Sequence, residues 1–234
     1  MFSASAELYD TIYGAFKDYR AEAAAIATLL HGMDPRYKTV LDVACGTGEH
    51  ARYLSELGFQ VDGLDLDPAL VRIARTKHPA GKFFEADMSA FDLAQSYDVV
   101  MCLFSSIGYL QTLDRVNRAF DCFRRHVAPG GAILLEPWFE PGVLEHGRVT
   151  RNLGKSESLR VVRTGRMEVE QRLSRLHFDY EITDHTGTRH ASEVHELGLF
   201  TAGELLESFR AAGLEASYDS KGLTGRGLYV ARVA

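Results

Sequence analysis

Within Val40-Leu41-Asp42-Val43-Ala44-Cys45-Gly46-Thr47-Gly48-Glu49-His50 an apolar run ends in an acid-flanked turn with two glycines, and a helix-forming segment follows. That order reads as a strand, a nucleotide-binding loop and a helix N-terminus. Taken literally, Gly46-Thr47-Gly48-Glu49-His50-Ala51 matches the dinucleotide fingerprint, which tolerates alanine at its last position. Its register is wrong for that ligand, because Ala44 and Cys45 stand between the strand and the first glycine, whereas a dehydrogenase puts that glycine directly after the strand. The stretch Asp42 to Gly48 fits better a loop wrapping the methionine part of S-adenosylmethionine, with Asp42 orienting an ammonium and small residues letting the backbone approach. An NAD-dependent dehydrogenase is the alternative if the register is misread.

Two further acids stand where a nucleoside needs them. Asp65 follows the next apolar run, where a carboxylate accepts both ribose hydroxyls. Asp62 and Asp67 compete, but alternation puts Asp62 inside the strand, and Asp67 before Pro68 is accounted for by helix capping. Asp87-Met88 ends a third run, the acid suited to an adenine amino group and the methionine to its ring.

These residues need strand ends to hold them together. The hydrophobic pattern predicts strands at Thr39 to Val43, Gln60 to Leu64, Lys82 to Ala86, Tyr97 to Phe104 and Ala132 to Leu135, alternating with helices. Pro129-Gly130-Gly131 reads as a turn before the last of them, and His126 as a helix-end residue favoured by the macrodipole. The expected fold is α/β, a doubly wound, mostly parallel Rossmann-like sheet. Residues 1–32 form an N-terminal helical lid or flank. Between residues 157 and 200 polar and apolar residues alternate, broken at Thr164-Gly165 and His185-Thr186-Gly187, which predicts antiparallel hairpins as an inserted auxiliary sheet. Thr201-Ala202-Gly203-Glu204 is a capping box for a late helix, and 214–218 and 227–233 return the chain to the main sheet. The whole of 1–234 reads as a single domain.

Composition narrows the ligand class. With 234 residues, 46% of them hydrophobic, one large core is within reach, and a formal net charge of −6 argues against an electrostatic nucleic-acid binder. Cys45, Cys102 and Cys122 form no C-x-x-C pair, which suits reduced thiols rather than disulfides or a metal site. No apolar stretch reaches the roughly 18 residues of a membrane span. Met1 to Glu7 has neither a basic region nor a signal core, so the expected location is cytoplasmic, with a small-molecule substrate and neither nucleic acid nor membrane as partner.

The set Leu41 to Gly48, Gly63-Leu64-Asp65, Ala86-Asp87-Met88 and Pro129-Gly130-Gly131 resembles the class I S-adenosylmethionine-dependent methyltransferases. Tyr9-Asp10 with Tyr13 and Lys17-Asp18-Tyr19, then Phe104-Ser105-Ser106-Ile107-Gly108-Tyr109-Leu110, Glu136-Pro137-Trp138 and Gly225-Arg226-Gly227-Leu228, is similar to the N,N-dimethyltransferases of nucleotide-linked 3-amino sugars in desosamine and mycaminose biosynthesis. The resemblance implies that Tyr13 closes over the methyl donor with a role in the chemistry. It implies that Lys17, Asp42, Ala44, Gly46, Asp65, Leu66, Asp87, Met88 and Leu103 hold S-adenosylmethionine, with no metal. Leu103 and Phe104 would line the transfer channel, Phe104 and Trp138 would face the acceptor, and Arg226 would serve a substrate phosphate, which its fork geometry suits. An amine must lose a proton before attack, and Tyr13, Glu136 and His195 are the candidate bases, with His195 expected to point outward from its strand. Another small O-, N- or C-acceptor is the alternative substrate. The inserted hairpins would cap the substrate, form a homodimer contact, or both.

Overall fold

The computed structural model describes residues 6–233; the Met1 to Ser5 stretch discussed above as lacking a signal core lies outside them. The chain opens with a short α1 (Tyr9–Tyr13) and a longer α2 (Tyr19–Met33), whose first turn is capped by the Asp18 carboxylate accepting from the Ala21 N–H. Then β1 (Thr39–Val43), α3 (Glu49–Glu56), β2 (Gln60–Asp65), α4 (Pro68–Lys77), β3 (Phe83–Glu85), β4 (Tyr97–Cys102), α5 (Leu113–His126) and β5 (Val127–Leu135) follow in alternation. Next come β6 (Val149–Lys155), β7 (Arg160–Glu170), β8 (Leu173–Asp184) and β9 (Gly187–Gly198). The chain closes with α6 (Ala202–Ala211), β10 (Leu214–Asp219) and β11 (Leu228–Val233).

The main sheet has seven strands in the order β10-β11-β5-β4-β1-β2-β3, parallel from β5 to β3, with β11 and β10 added antiparallel at the far edge. From β1 the chain steps outward to β2 and β3 and then crosses back to β4 on the other side. That reversal opens a crevice at the carboxyl ends of β1 and β4, where such sheets bind ligands. Val99, Val100 and Met101 of β4 are wholly buried, as expected of a central strand covered on both faces. On one face Phe120 and Phe123 of α5 and Phe209 of α6 form the core with Tyr229; on the other, Ile26 and Leu30 of α2 pack with Leu54 of α3 and Val71 of α4.

The remaining four strands form a separate antiparallel sheet in sequence order, β6-β7-β8-β9. It begins at Val149 rather than near residue 157. The N-terminal segment packs on it, Leu8 and Ile12 joining Val161, Phe178, Tyr180 and Ile182 in a satellite core.

Several local expectations are corrected. Thr164-Gly165 is no break but lies within β7, since a Cβ at Gly165 would stand 2.8 Å from Thr150 Oγ1 and 2.9 Å from Phe178 Cε1. Glycine there serves close packing rather than a turn. Pro129-Gly130-Gly131 likewise lies within the span of β5, at a register irregularity against β4. The fourth strand ends at Cys102, not Phe104. His126 ends α5 but is buried, its Nε2 accepting from the Leu93 N–H and its Nδ1 set 2.7 Å from the Cys122 carbonyl oxygen. One accepting and one donating nitrogen make a neutral ring that ties a loop down, not a cation facing the macrodipole. The other polar assignments hold: Asp62 accepts from Tyr97 Oη and the Lys82 N–H, Asp67 caps α4, and Thr201 with Glu204 forms the capping box of α6.

Candidate active site

A cavity of about 340 Å³ lies at the carboxyl edge of the parallel strands. Ala44, Gly46, Asp65, Leu66, Asp87 and Met88 line it, as the strand-end reading expects. Backbone conformation shapes its floor. Ala44 has φ of 58° and Gly46 has φ of 57°, so the loop after β1 curls back and presents main-chain groups to the cavity. Phe104 (φ 53°), Ser105 (φ 64°) and Gln111 (φ 62°) are also left-handed, and with Ala44 they make four of the six such non-glycine residues among the described ones. Strain of this kind persists where the surroundings hold it and marks functional sites. Here the holder is Glu136, whose Oε2 accepts from the Phe104 N–H at 2.7 Å while Oε1 accepts from Thr224 Oγ1. Each carboxylate oxygen is thereby engaged once, and Glu136 supports the turn.

Asp65 anchors the loop to β2, its oxygens accepting from the Gly46 and Asp67 N–H groups at 2.9 Å each. Each oxygen keeps a lone pair for a hydroxyl. Burial pushes its carboxyl up, opposed by those backbone bonds. Asp87 is more exposed. Burial works against its charge, but the Ser89 N–H and hydroxyl and the Arg115 guanidinium, 2.9 Å away, hold it below the ordinary carboxylate range.

Asp42 lines a smaller adjoining recess with Tyr9, Tyr19, Ala44, His50, Leu103 and Phe104. The residue is 2% exposed, and its Oδ2 has no hydrogen-bond partner among the described residues. Burial pushes its carboxyl up to about 7. A buried carboxylate oxygen without a donor is costly, and a bound ammonium would relieve it. Lys17 does not line the cavity. Its ammonium lies over the rings of Tyr19 and Phe104 and pairs with Glu22, which also sits 2.9 Å from His50 Nε2. That pairing holds α2 against the recess and leaves Lys17 at its rim.

Tyr13, Trp138 and Arg226 cluster near Phe104, and none of them lines the cavity. The Tyr13 ring meets Phe104 edge-on at 5.3 Å, and the Arg226 guanidinium lies 5.0 Å from the Phe104 ring and 5.9 Å from Trp138. Arg226 Nη1 also donates to Ser105 Oγ at 3.3 Å, and Trp138 Nε1 donates to Ser174 Oγ at 2.9 Å. Phe104, which lines the recess of Asp42, therefore joins that recess to the Tyr13 and Arg226 side chains.

Several residues escaped the sequence reading. Tyr9, Ser106, Tyr109, Gln111, Val194 and Glu196 line the cavity. Asp10 accepts from Thr47 Oγ1 at 2.6 Å and pairs with Lys77, pinning α1 to the glycine loop. Arg163 is 5% exposed and donates to Tyr13 Oη at 2.9 Å and to Asn152 Oδ1 at 3.1 Å. Burial raises the Tyr13 hydroxyl while Arg163 opposes the rise. His195 does not point outward: it is 1% exposed, with Nδ1 2.8 Å from Tyr109 Oη and Nε2 3.0 Å from Glu193 Oε1. The strand's alternation was legible, but which face met the main sheet was not.

The chain is similar to known proteins over nearly its whole length. Residues 40–131 match the model of a methyltransferase domain. Over 227 residues the chain is 35% identical to a dTDP-3-amino-3,4,6-trideoxy-alpha-D-glucopyranose N,N-dimethyltransferase of Streptomyces venezuelae, covering 96% of both. A dTDP-3-amino-3,6-dideoxy-alpha-D-glucopyranose N,N-dimethyltransferase of Streptomyces fradiae is also 35% identical, over 96% of this chain and 89% of its own. Among solved structures, Streptomyces venezuelae DesVI superposes with a TM-score of 0.93 at 35% identity, covering 98% of each chain. The S-adenosylmethionine-bound amino pentose methyltransferase CalS10 of Micromonospora echinaspora gives 0.85 at 35% identity, covering 99% of this chain and 97% of that one.

Proposed function

The chain belongs to the S-adenosylmethionine-dependent methyltransferases, in the family of nucleotide-linked amino-sugar N,N-dimethyltransferases, and from that premise we propose that it methylates the amino group of a dTDP-linked amino sugar. The observation that supports the reading is a cavity lined by the strand-end acids Asp65 and Asp87, with Tyr13, Trp138 and Arg226 clustered near Phe104 beside it. Asp65 would take the ribose hydroxyls and Asp87 with Met88 the adenine, while Asp42, with its unpartnered Oδ2, fits the ammonium of the methionine part. When bound, S-adenosylmethionine supplies a methyl group already activated as an electrophile on its sulfonium.

What remains for the protein is alignment and exclusion of water. Tyr13, anchored by Arg163, and Phe104, held by Glu136, meet edge to face and would together shield the acceptor nitrogen from water as it approaches. Trp138 supplies an apolar surface for the sugar. Arg226 offers a planar fork to the diphosphate, and the stacked rings of Phe104 and Trp138 keep it facing the site. A dehydrogenase reading finds no support: β1 ends at Val43, and Ala44 and Cys45 intervene before the first glycine. The exposed Val149 and Leu153 of the inserted sheet support a homodimer, and three buried free thiols suit the cytoplasm.

The test is incubation with methyl-labelled S-adenosylmethionine and dTDP-3-amino-3,6-dideoxy-alpha-D-glucopyranose. N-methyl product is expected. Tight cofactor binding with no methylated product would defeat the acceptor assignment.

A further inference from the structure

Methyl transfer to an amine has a proton to dispose of, because an alkylammonium has no lone pair until it is deprotonated. Of the three candidate bases, Glu136 is engaged in the turn and Tyr13 receives a hydrogen bond from Arg163. The inner face of the inserted sheet offers something different. Tyr109, from the turn Ser106–Leu110, lines the cofactor cavity with its hydroxyl directed at His195 Nδ1, 2.8 Å away. The other ring nitrogen lies 3.0 Å from Glu193 Oε1, and Tyr180 Oη donates to that same carboxylate oxygen at 2.5 Å. The side chains of His195 and Glu193 are 1% and 6% exposed. Besides His195, the ionisable groups that act on the Tyr109 hydroxyl include Tyr13, Asp65, Tyr180 and Glu193, and Asp65, Asp87, Arg115 and Glu196 line the same cavity.

We infer that Tyr109, His195 and Glu193 form a proton-transfer chain that deprotonates the acceptor ammonium before each methyl transfer. The inference rests on the amine-acceptor reading above. Tyr109 is the catalytic residue, since it lines the cavity that takes the methyl donor, and His195 and Glu193 are positioning residues behind it. The ammonium proton passes to Tyr109 Oη as the tyrosine's own proton passes to His195 Nδ1. The tyrosine ends neutral, the imidazole becomes imidazolium and Glu193 balances its charge. The freed nitrogen lone pair then forms the N–C bond as the S–C bond breaks, and the imidazolium returns its proton to solvent. Burial raises the Tyr109 hydroxyl well above its ordinary range, so it enters the chain as a neutral O–H able to donate. A neutral imidazole accepting at Nδ1 requires its hydrogen on Nε2, the nitrogen that faces the carboxylate.

Tyr109→Phe and His195→Gln test the chain, with calorimetric S-adenosylmethionine binding as the check that each variant retains the site. With the dTDP-linked amino sugar as acceptor, each variant is expected to lose about 100-fold or more in kcat at pH 7. The acceptor KM should stay within about threefold, and the double variant should be no worse than either single one, because the groups act as a unit. The deficit should shrink as pH rises and solution delivers the free amine. A loss equal at every pH, or none, would overturn the inference. Nitrogen NMR of histidine-labelled protein, assigned by difference with His195→Gln, gives a second readout independent of turnover. His195 is expected unprotonated on Nδ1 and protonated on Nε2; the reverse tautomer would leave the tyrosine proton no acceptor and would also overturn it. If the wild type fails to methylate the amino sugar, the acceptor reading fails, and the tautomer alone decides whether the chain is set to move a proton.

Discussion

The strand-end cavity and the cluster of Tyr13, Trp138 and Arg226 near Phe104 are built in different ways. The cofactor side is made by short turns at the ends of neighbouring parallel strands, with Asp65 closing β2 and Ala44 with Gly46 and Asp87 with Met88 lying just beyond β1 and β3. The acceptor side is assembled from pieces far apart in sequence: Tyr13 from the N-terminal helix, Arg163 and Ser174 from the inserted sheet, Trp138 after β5 and Arg226 before β11. Its side chains are set by which face of a long strand turns inward, and they hold one another through hydrogen bonds that cross between sheets. A turn at a strand end tolerates only a few residue types and so leaves a motif, whereas a position on a sheet face leaves only alternation. The first kind of site is shared by enzymes of many substrates; the second is where a substrate is chosen.

If the cavity and the cluster are separable, their variants should be too. The largest effect is expected for Asp65→Ala. On the proposed role it removes two charge-assisted bonds to ribose, each worth about 1.5–3 kcal/mol, and it frees the Gly46 and Asp67 N–H groups that the carboxylate holds. Calorimetry should show S-adenosylmethionine affinity reduced by roughly 100-fold or more. An affinity within threefold of wild type would place the cofactor elsewhere.

Arg226→Ala should act on the cluster alone. The acceptor KM should rise by about tenfold or more for loss of a charge-assisted phosphate contact, with cofactor affinity unchanged. Arg226→Lys should recover only part of it, because a point charge lacks the planar fork that stacks on Phe104 and Trp138. Equal loss of cofactor and acceptor binding would show that the cavity and the cluster are not separable.

The smallest effect is a slope with pH. Burial raises the Asp42 carboxyl to about 7 in the folded protein, above the ordinary carboxylate value of the unfolded chain. The native state therefore binds the extra proton, and this residue's contribution to stability declines as pH rises from about 4 to about 7, then levels off. Asp42→Asn should remove that decline, so urea midpoints compared at pH 5 and pH 8 should favour the variant more at the higher pH. A bound ammonium favours the carboxylate, so cofactor binding near pH 6 should release protons, measurable as a dependence of the calorimetric heat on buffer ionisation enthalpy. Proton uptake instead would mean that Asp42 does not face the ammonium.

The same contrast explains what the sequence disclosed. The parallel sheet was legible because β1 and β4 carry apolar runs, Val40-Leu41 and Val99-Val100-Met101, and because Asp65 and Asp87 stand at or just beyond the ends of β2 and β3. Asp67 and Thr201 betrayed their helices through capping chemistry, which is local. Gly165 misled because glycine serves a turn and a close contact equally well, and only the Phe178 ring across the strand distinguishes them. His195 misled for a related reason: period-two alternation separates two faces without naming the buried one. Arg163 carried no local signal at all, since its partners Tyr13 and Asn152 reach it from another helix and another strand.

The central claim, that this chain methylates the amine of a nucleotide-linked sugar, is tested most directly by competition. A dTDP-3-amino sugar and its 3-hydroxy counterpart would be mixed with the enzyme and S-adenosylmethionine, and each product's mass followed with time. The expected result is two successive methyl gains on the amino sugar and none on the hydroxy sugar. Methylation of the hydroxyl, or of neither compound by an enzyme that binds the cofactor, would contradict the account.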